Sequence, residues 1–347
     1  MKRFLKSVLG RPWVARIAGL SSTKTLVVLA YHRVRRCGEI TPLADSLFSV
    51  EENEFAEQVA WLAKNTTPVS ESDVLACIAQ RRPFPNRASL VTFDDGYRDN
   101  FTIAAPILKQ YRVPAIYFIA TGPMSGRKPF WWDEIAWAIK QTKFQSITVV
   151  GQVYDLTRGS SVGLTCALIS HCLALESVGQ ARFMDQIRRE CGVDRVPQAV
   201  VDAALMTWDQ VQTLGEHGIS VGAHTVNHCV LSRLDAEARE RELRESKAEL
   251  ELRTGREVLS VAYPFGGEEH FDSEAKAAAQ KVGFRMGFGL VPGINRVSRL
   301  DQFSLSRIIP PADIRSFALW LTMPRLMLSG RCHGNGTGAD STCRSCA

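Results

Sequence analysis

The sequence predicts an α/β protein built on a parallel sheet, with a mainly helical insertion in its middle. Three observations carry this reading. Short β-branched apolar runs alternate with amphipathic stretches of helical period, as a parallel sheet with crossover helices requires. Two of the helical stretches stop at a Gly, the residue that most easily takes the left-handed terminator conformation. One long segment, from about residue 122 to 205, breaks the alternation with mostly helical patterns.

In chain order, a basic start (Lys2, Arg3, Lys6, Arg11, Arg16) comes first. Residues 1–22 are expected to be a solvated arm, with peripheral contact to an anionic membrane surface as the other reading. "TLVVLAY" (25–31) is the first strand, far too short to cross a bilayer. "VEENEFAEQVAWLAKN" (50–65) puts Phe55, Val59 and Leu62 on one helical face. "SLVTF" (89–93) and "AIYFIA" (115–120) are the next strands. The 122–205 segment carries one β-like piece, "SITVVGQVYDL", and the aromatic cluster "FWWDEIAW" (130–137). Packing of Trp131 and Trp137 into the core is expected, the alternative being a cleft wall on which sugar rings stack.

After "ISVGA" (219–223), a long helix runs from an N-cap at Asp235 to Gly255. "VLSVAY" (258–263), a helix ending at Gly283 and "FRMGFGL" (284–290) complete the alternation. One domain is expected over residues 23–325. The Gly-rich tail 326–347 holds Cys332, His333, Cys343 and Cys346; it is expected to be disordered, with a C-x-x-C metal clip as the alternative.

At 347 residues and 45% hydrophobic content, the chain can bury a sizeable core. The net charge of +6 is modest and scattered, which excludes a nucleic-acid-reading stripe. Arg11 and Arg16 interrupt any signal-peptide apolar region, so a cytoplasmic protein, at most peripheral at the inner membrane, is expected. Six cysteines (Cys37, Cys77, Cys166, Cys172, Cys191, Cys229) sit singly, which suits reduced thiols.

The chemistry lies at the carboxyl ends of the strands, where parallel sheets build their sites. The first strand runs into His32, "LVTF" into Asp94 and Asp95, "ISVGA" into His224 and His228, and "VLSVAY" into Pro264, Phe265, Gly266 and Gly267. Taken singly, "DDG" is a turn, "YHR" a core Tyr before a solvated pair, and "AYPFG" a bend. Their shared position is the signal. The i, i+4 spacing of His224 and His228 would, on a helical turn, bring both imidazoles to one cation. Two imidazoles and a carboxylate leave open coordination positions, as in a catalytic metal site; cobalt, nickel or iron would suit these donors as zinc does.

"TFDDGY" (92–97), "HTVNH" (224–228) and "AYPFG" (262–266) resemble, in this order, the signature blocks of the NodB-type polysaccharide deacetylases, carbohydrate esterase family 4. "LAYHRV" (29–34) resembles the permuted branch that includes poly-N-acetylglucosamine deacetylases. The resemblance implies a distorted (β/α)₇-type barrel and metal-dependent N-deacetylation. It implies that Asp95, His224 and His228 hold a divalent metal, zinc in most members. It further implies that Asp94 is the general base and His32 the general acid, with Tyr263, Pro264 and Phe265 lining the acetyl site. A backbone N–H near Tyr263 or Phe265 is then expected to help hold the oxyanion. Many members place an Arg two residues before the Pro of the third block to orient the base. Here that position is Ala262, which leaves Arg307, in "LSRIIP", and Arg98 as candidates.

The expected function is removal of N-acetyl from a sugar in a polysaccharide or a lipid-linked glycan precursor. Two rivals remain: a hydrolase of a small non-sugar amide on the same fold, and an inert glycan-binding protein.

Overall fold

The computed structural model describes residues 24–149, 151–156, 161–175 and 177–322. The expected basic arm (1–22) and Cys-rich tail (326–347) lie outside the described residues. The elements run β1 (Leu26–Tyr31), β2 (Arg33–Arg35), β3 (Phe48–Glu51), α1 (Glu52–Asn65), β4 (Thr67–Pro68), α2 (Glu71–Ala79) and β5 (Ala88–Phe93). Then follow α3 (Ala105–Tyr111), β6 (Ala115–Ile119), α4 (Thr121–Gly126), α5 (Trp131–Gln141), β7 (Ser146–Val149) and β8 (Gln152–Asp155). The rest are α6 (Ser161–Ala174), α7 (Ser177–Cys191), α8 (Gln198–Ala204), α9 (Trp208–Thr213), β9 (Ile219–Ala223), α10 (Ala236–Thr254), β10 (Ser260–Ala262), α11 (Ser273–Val282), β11 (Met286–Phe288) and α12 (Ile314–Thr322).

The main sheet is parallel and curled, in the order β1-β5-β6-β9-β10-β11, with β4 against the start of β5. Its two edges share one further segment. Leu305 exchanges backbone hydrogen bonds with the β11 side, and Ile308 with β1. Residues 305–308 therefore take the seventh position of a distorted (β/α)₇-type barrel, the fold class expected from the sequence.

Alternation along the strands sorts two apolar layers. Leu26, Val28, Leu90, Ile116, Phe118 and Phe288 pack together inside the curl, whereas Val27, Leu29, Tyr31, Val91 and Phe93 face the helices. Strand β1 is buried on both faces, which explains its unbroken apolar run.

Several elements differ in detail from the sequence reading. "SITVVGQVYDL" is an antiparallel hairpin, β7–β8, with Gly151 at positive φ in its turn. "VLSVAY" and "FRMGFGL" shrink to three-residue strands. The Val258 N–H is drawn to the Glu251 carboxylate, so pairing starts later. Helix α10 starts at Asp235, whose side chain accepts from the Ala238 N–H, and ends at Gly255 at φ 65°, as expected. Cys37, Cys77, Cys172, Cys191 and Cys229 are free thiols, but Cys166 is disulfide-bonded. No helix among the described residues is long and apolar enough to cross a membrane.

Candidate active site

Strand alternation carries His32 and Asp94 to the inner face of the curl. His32 continues the parity of Leu26 and Val28, and Asp94 that of Leu90 and Thr92. Adjacent strand residues normally point to opposite faces. Asp95 escapes that rule because its φ is +77°, so both carboxylates line one pocket. Gly96 follows at φ +99°, a conformation that side chains rarely adopt.

Four of the eight non-glycine residues with positive φ among the described residues belong to this rim: Asp95, Thr225, His228 and Phe265. Such backbone is uncommon and persists where surroundings over-determine it, characteristically at functional sites. The loop holding His224 and His228 is one case. It is not the helical turn that the i, i+4 spacing suggested. Left-handed residues at Thr225 and His228 fold the chain back, and the Glu242 carboxylate secures it by accepting from the Val226 and Asn227 N–H groups.

Asp95, His224 and His228 converge, with one ligand atom from each lying within 4.8 Å of the others. His228 Nε2 is 3.3 Å and His224 Nε2 is 3.6 Å from Asp95 Oδ1. All three are buried, yet neither carboxylate oxygen of Asp95 accepts a hydrogen bond. Buried carboxylate oxygens are seldom left so. His224 Nδ1 lies 2.7 Å from the Ala262 carbonyl, which sets that nitrogen as the N–H and turns an unprotonated Nε2 toward Asp95. Burial, reinforced by the neighbouring His228, pushes the His224 pKa down to about 4, although Asp94 and Asp95 oppose it. Burial raises the Asp95 carboxyl, but the imidazoles of His228, His32 and His224 together hold it below its ordinary value. The unprotonated His224 Nε2, the His228 imidazole beside it and an anionic carboxylate with unused lone pairs fit a divalent cation.

Asp94 is built differently. Burial would raise its pKa, but the Arg307 guanidinium, helped by His224 and His32, holds it down at about 2. Arg307 grips it with two hydrogen bonds, Nη1 to Oδ1 at 2.7 Å and Nη2 to Oδ2 at 2.8 Å. Arg307 is itself 1% exposed and donates through Nε to the Gly289 carbonyl. His32 Nε2 lies 4.0 Å from Asp94 Oδ2.

The other candidates divide. Tyr263 and Phe265 line the pocket, and Pro264 is buried in the turn between them. The Tyr263 N–H is committed to the Phe288 carbonyl, and its hydroxyl to the Phe303 carbonyl. Of the two expected oxyanion donors, only the Phe265 N–H is therefore left. Arg98 is not the residue that orients Asp94: Arg307 takes both carboxylate oxygens, and Arg98 Nη1 instead donates to the Asp202 carbonyl at 3.4 Å.

Trp132 lines the pocket, in keeping with the cleft-wall alternative for the 130–137 cluster, whereas Trp131 and Trp137 are only partly buried; Leu47 and Leu290 escaped the sequence reading. Trp132 sets its ring edge-on to His228 at 4.7 Å, and its indole N–H donates to the Tyr97 hydroxyl. That hydroxyl donates in turn to Asp133, which burial pushes up to about 6. The "WWD" run was visible, but the sequence offered no reason to prefer Trp132 to its neighbours. Leu47 and Leu290 carry no chemical signal at all.

A curled parallel sheet with a buried Asp/His/His group and an Arg-held carboxylate at its carboxyl rim defines a class of barrel hydrolase site. The chain belongs to the polysaccharide deacetylase family, whose profile matches residues 81–287. It is similar to the protein YxkH of Bacillus subtilis, 22% identical over 271 residues, covering 77% of this chain and 65% of that protein. It is also similar to the poly-β-1,6-N-acetyl-D-glucosamine N-deacetylase of Escherichia coli K12, 28% identical over 200 residues, covering 52% of this chain and 28% of that one. The chain thus spans less than two thirds of the length of these curated relatives. Among solved structures, the fold is similar to the Streptococcus pyogenes deacetylase PplD (TM-score 0.57, 18% identity, 86% of this chain and 98% of that one). It is likewise similar to IcaB from Ammonifex degensii (TM-score 0.54, 20% identity, 87% and 98%).

Proposed function

We propose that the protein is a metal-dependent hydrolase that removes the N-acetyl group from an N-acetylated sugar, in a polymer or a glycan precursor, releasing acetate. One observation carries the reading: a buried Asp/His/His group with unsatisfied carboxylate oxygens adjoins a second carboxylate held as an anion by Arg307. Asp95, His224 and His228 would hold the cation, zinc by the family resemblance. When bound, it would acidify water and polarise the acetyl carbonyl.

The remaining steps belong to the chain. Asp94 would accept a proton from the attacking water, and the Arg307 fork would keep its oxygens aimed while it does so. The water oxygen adds to the carbonyl carbon and the C–N bond breaks. His32 would give its proton to nitrogen, because an amine anion is too poor a leaving group to depart unaided. The Phe265 N–H is the candidate donor to the oxyanion. Trp132 and Phe265 offer apolar faces suited to an acetyl methyl and a sugar ring.

The test is acetate release from N-acetylglucosamine oligomers, with and without chelator, beside a panel of small N-acetyl amides. Chelator-sensitive release from the oligomers is expected. Release confined to the small amides would favour the non-sugar amidase, and neither metal nor acetate would favour a glycan-binding protein.

A further inference from the structure

His32 is the first residue beyond β1, where the main sheet no longer holds the chain. Its backbone is nevertheless held on both sides by side chains. The His32 N–H donates to Ser49 Oγ at 2.9 Å, and its carbonyl accepts from Asn100 Nδ2 at 2.7 Å. Ser49 comes from β3 and Asn100 from the segment after the "DDG" turn, so two distant stretches meet on one residue. Among the described residues the imidazole itself has no hydrogen-bond partner; its nearest carboxylate oxygen, at 4.0 Å, is beyond bonding range. Hydrogen bonds among the described residues therefore hold His32 through its backbone, the root from which the ring is placed.

The clamp is itself braced. Asn100 is 1% exposed, and its amide also donates to Asp99 Oδ1 at 3.0 Å. Asp99 accepts from the Arg33 Nε at 2.8 Å and the Val34 N–H at 3.1 Å, the residues that follow His32. The Arg33 guanidinium lies between the Phe48 and Tyr97 rings, 4.4 and 4.5 Å from their centroids. The Asn100 carbonyl takes the Tyr117 hydroxyl at 2.8 Å. Asn100 also opens a π-helical turn, Asn100–Ala104, a rare geometry that recurs at functional sites.

We propose that Asn100, together with Ser49, is a positioning residue that fixes the His32 backbone so that the imidazole meets the leaving amine. The proposal rests on the reading of His32 as the acid. A plainly structural alternative exists, since any buried carbonyl needs a donor. The two differ in which substrate suffers. An amide needs its nitrogen protonated, whereas the phenolate of an aryl ester leaves without an acid.

The experiment compares wild type, His32→Ala, Asn100→Ala, Ser49→Ala and Ser49→Thr on N-acetylglucosamine oligomers and on 4-nitrophenyl acetate, with metal content measured for each. Asn100→Ala is expected to lower kcat on the oligomers by about 10-fold or more, since small misplacements of a catalytic group are costly. KM, ester turnover and metal content should stay at wild-type values. Ser49→Ala should show a smaller loss of the same selectivity, and Ser49→Thr, which returns the hydroxyl, should restore the rate. Equal losses on both substrates, loss of metal, or no loss at all would overturn the proposal. If His32→Ala keeps its oligomer activity, or wild type acts on neither substrate, the reading of the acid fails first and the proposal with it. Selective loss in His32→Ala without it in Asn100→Ala sinks this proposal alone. Should Asn100→Ala fail to fold, the Ser49 pair decides.

Discussion

The two ends of the curled sheet each bury a carboxylate, and they treat it in opposite ways. At the carboxyl rim, Asp94 is held as an anion at about 2 by the Arg307 fork. At the amino end, beside the starts of β9 and β10, burial raises the pKa of Glu71. Its partners there are the hydroxyls of Ser260 and Ser220, with only a weak pull from Lys247. Both are less than a tenth exposed, so burial does not separate them. A cation in direct contact preserves the charge; a pair of hydroxyls satisfies the group without preserving it. The rim keeps a carboxylate in its charged form, and the foot favours a carboxyl in its protonated form.

Four single variants and one double variant would break or sharpen this contrast. The largest effect is expected for Asp94→Asn, which should abolish acetate release, a loss of about 100-fold or more for a general base, while bound metal is retained. His228→Ala should lose metal and activity together. Full activity in Asp94→Asn on every substrate used by wild type would falsify its assignment as the base.

Next comes Arg307→Met, which strands a buried anion and should cost about 3–5 kcal/mol in denaturant unfolding. Adding Asp94→Asn to it should recover much of that loss, because no charge is then left unpaired. Simple addition of the two single losses would show that the pair is not coupled.

The smallest effect is expected for Glu71→Gln. The raised folded pKa of Glu71 means that the folded state holds its proton where the unfolded chain has lost it. Wild-type stability should therefore fall as pH rises above the ordinary value of 4.5 toward the raised one. Glu71→Gln should remove that slope, change neutral-pH stability by about 1 kcal/mol and leave acetate release intact. An unchanged slope in thermal unfolding at several pH values would remove Glu71 from the comparison.

Much of the rim was legible as strand ends. The parity of "LVVLAYH" and "LVTFD" already sends His32 and Asp94 to the same face as Leu26, Val28 and Leu90, because alternation is a property of any strand. Glycine terminators likewise located the ends of α10 and α11, and an Asp cap the start of α10, because both signals are local. The histidine pair was legible in its residues but not in its geometry: the spacing points to a helix, and the chain makes a loop with two left-handed residues.

The sequence alone determined which groups reach the carboxyl rim and in what order, since period-2 alternation and turn chemistry are local. Three things were decided only by the tertiary structure. Arg307 reaches Asp94 across 213 residues of chain because the 305–308 segment bridges both edges of the sheet. Trp132 meets His228 because α5 folds over the rim. Asn100 and Ser49 close on His32 from two separate elements. Each is a long-range contact fixed by how the sheet curls, and no local pattern of residues encodes that curvature.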